Sequence, residues 1–137
     1  MNLSIGTPAP NFSANNQRGE IVTLNNYAGK KLVLYFYPKD DTPGCTAEAC
    51  SLRDNYEALL AQGYAILGVS PDKEAKHQKF IEKYNLPFDL QEYSEQTLQA
   101  YAKNPEELKP YRMLVFLHDE HKNIIAEDSV GRKGHVS

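Results

Sequence analysis

The chain has 137 residues, 41% of them hydrophobic, and a formal net charge of −3 at pH 7. That length suits one domain over residues 1–137, with enough core to stand without disulfide staples or structural metal. The composition argues against extended disorder, the charge against a nucleic-acid or anionic-membrane surface, and no run approaches the ~20 apolar residues of a membrane span.

In chain order, residues 1–31 read as an irregular lead-in with a hairpin. The turn-rich Asn15-Asn16-Gln17-Arg18-Gly19 precedes a short strand, Ile21-Val22-Thr23-Leu24. Leu32-Val33-Leu34-Tyr35-Phe36-Tyr37 is apolar and aromatic on both faces, as a central strand covered on both sides requires, and Pro38 ends it. A helix is predicted from Thr42-Pro43, with Thr42 as N-cap and Pro43 in the first turn. Ala49, Leu52, Tyr56, Leu59 and Leu60 fall on one face, and Gly63 stops it. Ala65 to Val69 is a second buried strand. Ser70-Pro71-Asp72 opens another helix, with a stripe of His77, Phe80, Ile81 and Tyr84. Ser94 caps a shorter helix carrying Leu98, Tyr101 and Ala102. Met113 to Leu117 is a third apolar strand, paired in an antiparallel hairpin with Ile124-Ile125-Ala126. Strands and helices alternating in this way predict an α/β fold, a central mixed sheet with helices on both faces. Functional loops then lie at the C-terminal ends of the parallel strands, where Pro38 to Cys45 sits.

The first eight residues, Met1 to Pro8, lack the basic and apolar regions of a signal peptide, so a cytoplasmic, reducing location is expected. The chain has two cysteines, Cys45 and Cys50. In a reducing compartment a close pair suggests redox chemistry or metal before a static staple. Cys45 falls in the first turn of the predicted helix, where free N–H groups and the helix dipole favour thiolate over thiol. A buried structural cysteine is the alternative. Five residues along an intact helix rise about 7.5 Å and turn about 140°, which leaves the two Cα atoms about 8.5 Å apart. A disulfide needs them within about 7 Å, so the pair can join only if the helix start unwinds. That suits a switch. No metal is expected, because His77, His118, His121 and His135 offer no matching ligand spacing. Thr42 either caps the helix or turns its hydroxyl toward whatever the thiolate attacks. Pro38 either ends the strand or stiffens the approach and removes a competing N–H.

Pro38-Lys39-Asp40-Asp41-Thr42-Pro43-Gly44-Cys45 resembles the P-x-x-x-T-x-x-C motif of peroxiredoxins. The longer run from Tyr35 to Cys50 resembles the bacterioferritin-comigratory-protein class, also called peroxiredoxin Q. Gly6 to Phe12 and Leu67 to Asp72 extend the likeness over roughly residues 1–90. The resemblance implies a thioredoxin-like fold and a thiol-dependent peroxidase, an enzyme that reduces hydrogen peroxide and organic hydroperoxides without haem, flavin or metal. It implies Cys45 as the peroxidatic cysteine, which becomes a sulfenic acid. Cys50 is then the resolving cysteine, which closes an intramolecular disulfide. Thioredoxin or a similar dithiol is the implied reductant and partner. Thr42 and Pro38 match the residues that shape the peroxide pocket, and Glu48 matches a glutamate that orients a catalytic arginine. Asp40, Asp41, Thr42 and Glu48 do not distinguish one peroxide from another.

The second half departs from the pattern. Phe116-Leu117-His118-Asp119 matches a late strand, but Arg112 lies one residue upstream of the usual arginine spacing. A one-residue slip turns a side chain to the other face unless a bulge corrects it. Arg112 is therefore either the thiolate-stabilising cation or a strand-edge arginine in solvent, and Arg53 is a weaker candidate. The Tyr101 to Arg112 segment is shorter than the family's loop and lacks its tryptophan. Gly131 to His135 resembles the lead into a last helix, which Ser137 cuts short. A truncated C-terminal helix predicts a partly uncovered sheet face, with lower stability or self-association. The family-based expectation is a monomer, with a dimer as the alternative. Two other functions compete: a redox sensor or impaired relative that oxidises once without turnover, and a thioredoxin-like disulfide reductase. The four residues between Cys45 and Cys50 argue against the reductase, which would use C-x-x-C.

Overall fold

In the computed structural model, residues 6–37, 40–93, 95–101 and 113–130 are described. A small antiparallel hairpin pairs β1 (Ser13–Asn15) with β2 (Ile21–Thr23). Leu24 is the first residue of a short 3-10 helix, Leu24–Tyr27, rather than the last of the strand. Seven longer elements then build the α/β body. They are β3 (Lys31–Phe36), α1 (Pro43–Asp54), α2 (Tyr56–Ala61), β4 (Tyr64–Ser70), α3 (Glu74–Tyr84), β5 (Asp89–Glu92) and α4 (Glu95–Tyr101). β6 (Met113–His118) and β7 (Ile124–Val130) close it.

The sheet runs β5-β4-β3-β6-β7. β3, β4 and β5 are parallel, while β6 is antiparallel to β3 and β7 to β6. The mixed sheet agrees with the expectation, including the antiparallel final pair. Alternation along β3 divides the interior, because successive side chains leave a strand on opposite faces. Leu32, Leu34 and Phe36 enter one core with Phe12, Leu24, Tyr101 and Phe116. Val33 and Tyr35, with Tyr37 just beyond, enter the other, with Cys45, Ala49, Ile66, Phe80 and Leu90. Helices therefore cover both faces, α1 to α3 on the second and α4 on the first.

Two further predicted boundaries are corrected. The helix starting at Pro43 is not continuous to Gly63, because it breaks at Asn55. Asn55 donates from both its main-chain N–H and its side-chain Nδ2 to the Ser51 carbonyl, and such local side-chain bonds compete with the helical ladder. Leu60 is 45% exposed rather than on the buried stripe. The next helix does not open at Ser70-Pro71-Asp72. Ser70 is the last residue of β4, its Oγ accepts from the Asp72 N–H, and the Asp72 carboxylate accepts from the Asp40 N–H. Those groups are taken, and α3 starts at Glu74 behind Lys73.

β5 has no counterpart in the sequence reading. Its Asp-Leu-Gln-Glu pattern looks polar, yet Leu90 and Gln91 are buried. Gln91 Nε2 donates to the Ala14 and Val22 carbonyls of the hairpin, and Gln17 Oε1 accepts from the Leu90 N–H. The hairpin thus caps that edge of the sheet through polar side chains. The helix after Ser94 covers Glu95–Tyr101; Ser94 itself and residues 102–112 lie outside the described residues, as do 131–137 and the lead to the last helix.

Candidate active site

The strand-to-helix junction follows from local chemistry. β3 delivers the chain to the C-terminal edge of the parallel strands. Thr42 takes the extended N-cap conformation (φ −95°, ψ 156°) and Pro43 occupies the first turn of α1. The Thr42 side chain makes no capping bond, so the capping alternative does not hold; its carbonyl accepts the first helical bond, from Thr46 N–H at 2.8 Å. Cys45 sits in that first turn, 3% exposed, ahead of the first completed ladder bond. N–H groups of a first turn lack intrahelical acceptors and favour an anion beside them.

Cys50 lies further along the same unbroken helix, half-buried, and no disulfide joins it to Cys45. The helix between them is intact, so their geometry is the separated one expected of the reduced state. Glu48 lies three residues beyond Cys45 and is buried, 4% exposed. Burial pushes its carboxyl up to about 7.

Residues to which the sequence reading gave no structural role at the site hold this junction. The Asp40 carboxylate, fully buried, accepts from the Tyr37 hydroxyl at 2.5 Å and meets His77 Nδ1 at 2.7 Å. The Asp40 N–H donates to Asp72 Oδ2 at 2.5 Å. His77 therefore belongs to a polar network rather than to an apolar stripe. Its Nε2 has no hydrogen-bond partner among the described residues. Asp41 follows with a left-handed backbone, φ 59°, and its carboxylate accepts from Lys83 Nζ and the Tyr84 hydroxyl, each at 2.7 Å. Those two bonds hold the Asp41 carboxyl below its usual range.

Tyr35 also belongs here. Its ring stacks on Tyr37 with centroids 5.3 Å apart, and its hydroxyl is buried without a hydrogen-bond partner among the described residues. Burial, with Glu48, Cys45 and Asp40 as nearby charges, holds its hydroxyl well above the usual range. The signal was available, since a tyrosine inside a buried strand must place a polar tip somewhere.

Two expected site residues, Pro38 and Arg112, lie outside the described residues. The register irregularity of the late hairpin falls at Leu117/His118, at the far end of β6 from Arg112. Arg53 is displaced from the thiolate role: its Nη1 donates to the Tyr84 carbonyl at 2.7 Å and its Nε to Asp54 at 3.0 Å. His118 is buried between the Leu32 carbonyl and the Tyr101 hydroxyl, and desolvation lowers its pKa. A separate cavity of about 350 Å³, lined by Tyr27, Tyr56, Tyr64 and Phe88, lies at the opposite end of β3 and β4 from Cys45. No helix among the described residues is long and apolar enough to cross a membrane.

The AhpC/TSA family model matches residues 5–126. The chain is 53% identical over 90 residues to the peroxiredoxin Bcp of Bacillus subtilis, covering 66% of this chain and 57% of that one. It is 47% identical over 88 residues to the chloroplastic peroxiredoxin Q of Oryza sativa, covering 64% of this chain and 41% of that one. The chain thus spans about half the length of the curated relatives it matches. Among solved structures it is similar to peroxidoxin BcpB of Mycobacterium tuberculosis, with a TM-score of 0.78 and 26% identity, covering 96% of this chain and 87% of that one. With a cysteine-bearing helix start at the end of a parallel strand, the chain belongs to the AhpC/TSA family, has a thioredoxin-like α/β fold, and is similar to the peroxiredoxin Q and Bcp proteins.

Proposed function

We propose that the chain is a thiol-dependent peroxidase that reduces hydrogen peroxide and organic hydroperoxides. One observation carries this reading: a buried cysteine in the first turn of α1, with a second free cysteine five residues on along an intact helix. The Cys45 thiolate, favoured by the helix start, attacks the terminal oxygen of the peroxide in line with the O–O bond. That bond breaks, the leaving oxygen takes a proton to give water or an alcohol, and Cys45 is oxidised by two electrons to a sulfenic acid. Thr42, whose hydroxyl does not cap the helix, and the first-turn N–H groups stabilise the two oxygens as charge moves. Pro38 shields the thiolate. Arg112, oriented by Glu48, supplies the fixed cation.

The start of α1 then unwinds, and the Cys50 thiolate attacks the Cys45 sulfur. A disulfide forms and water leaves. An external dithiol, thioredoxin in this reading, returns both thiols by exchange and is itself oxidised to a disulfide. Every group named comes from one chain, so a monomer suffices, and a reducing compartment such as the cytoplasm supplies the dithiol. The test is peroxide-dependent NADPH oxidation with thioredoxin and thioredoxin reductase. Repeated turnover that disappears in Cys45→Ser supports the reading. Full activity in Cys45→Ser overturns the assignment of Cys45, and a single stoichiometric oxidation without turnover supports a redox sensor instead.

A further inference from the structure

The reaction just proposed needs α1 to hold its shape while Cys45 meets peroxide, and to let go afterwards. The residues that must move lie between two ties to the end of α3. Ahead of α1, the Asp41 carboxylate accepts from the Tyr84 hydroxyl at 2.7 Å. Behind Cys50, Arg53 Nη1 donates to the carbonyl of the same Tyr84 at 2.7 Å. One residue thus grips the cysteine-bearing segment at both ends.

The setting suits a clasp that can open. Asp40, one residue upstream, is anchored in the core by Tyr37 and His77, and is the fixed point. Asp41 is exposed, and its left-handed backbone (φ 59°) is unfavourable for a residue with a Cβ. Its carboxylate bonds to Tyr84 and Lys83 hold it there, and release would let the backbone relax. Tyr84 is itself well supported. It is the last residue of α3, its ring packs edge-on against buried Phe80 with centroids 5.5 Å apart, and Asn85 ends the helix in a left-handed turn.

We infer that Tyr84 is a positioning residue that clasps the segment from Asp41 to Arg53 and thereby restrains the unwinding that brings Cys45 to Cys50. It touches no reacting atom. It sets how long oxidised Cys45 stays in the folded pocket, and so the balance between resolution by Cys50 and further oxidation by a second peroxide. The inference rests on the peroxidase reading for its consequence, but the restraint itself exists in the reduced protein and is measurable without peroxide.

The experiment compares the whole chain with Tyr84→Phe, which removes the tyrosine bond of the front tie and leaves the Lys83 bond to Asp41, and Arg53→Met, which cuts the rear tie. Amide hydrogen exchange of the reduced proteins reads the restraint directly. Exchange at Thr46 to Cys50 is expected to rise by about three- to tenfold in each variant, the scale of one partly exposed hydrogen bond, with the strand amides unchanged. After a pulse of hydrogen peroxide, disulfide formation should quicken by a similar factor while the first oxidation of Cys45 does not. Exchange at α1 that is unchanged in both variants, or that rises equally throughout the sheet, overturns the clasp. A protein that ignores peroxide but shows the local rise would refute the peroxidase reading and leave the clasp standing. Peroxide turnover with no local rise would do the reverse.

Discussion

Glu48 illustrates how a single side chain carries both structure and chemistry. Its carboxyl is buried, and desolvation raises its pKa from the usual carboxylate range to about 7. The sign follows from linkage. Between about pH 4.5 and 7 the unfolded chain has released this proton and the folded chain still holds it, so folding stability falls as pH rises through that window and levels off above it. Glu48→Gln keeps the shape and removes the titration. Urea unfolding at several pH values should therefore show the parent losing stability between pH 4.5 and 7 relative to the glutamine variant; parallel curves would contradict the burial argument. The thiols and Thr42 were legible from their spacing at a helix start, whereas Glu48 was legible only through the family resemblance. The sequence did not expose Asp40, His77 or Tyr84. Their roles come from contacts between residues 37 and 43 positions apart, and a loop aspartate or helical histidine looks ordinary until its partner is placed.

Among the elements, the apolar strands were readable and the polar ones were not. β3, β4 and β6 announce themselves by continuous hydrophobic runs, whereas β5 hides behind Gln91 and Asp89, which bond to the hairpin, and Glu92, which pairs with Lys73. The break at Asn55 was likewise invisible to a periodicity that continues across it. Packing within the sheet adds a constraint at Gly68 of β4. A Cβ there would come within 2.7 Å of Leu90 Cδ2 and 2.8 Å of the Tyr35 Cζ and hydroxyl. Tyr35 has no open space into which to retreat, being fully buried and stacked on Tyr37. Gly68→Ala is expected to cost about 1–3 kcal/mol of folding stability by overpacking. It should also slow any reaction of Cys45, because the displaced ring belongs to the same core as that thiol. Chemical denaturation beside thiol-reactivity measurements checks both, and an unaltered midpoint would show that the ring shifts freely.

For the molecule as a whole, the fold places the cysteine-bearing helix start where two cores meet the end of a sheet. α1 lies on one face with Cys45 in its core, and β3 runs through both cores and delivers the loop. The fold class was legible because alternating elements of these lengths admit few arrangements, and the family likeness agrees with it over residues 5–126. The two outer site residues, Pro38 and Arg112, remain expectations of sequence, since they lie outside the described residues. The central claim is that Cys45 is oxidised and Cys50 then joins it after α1 unwinds. The direct measurement is the intact mass of the reduced chain after one equivalent of hydrogen peroxide, followed by peptide mapping. The account predicts a protein lighter by two hydrogens, with the peptides of Cys45 and Cys50 linked. A protein of unchanged mass, or one that gains oxygen and keeps Cys50 as a free thiol, would contradict it.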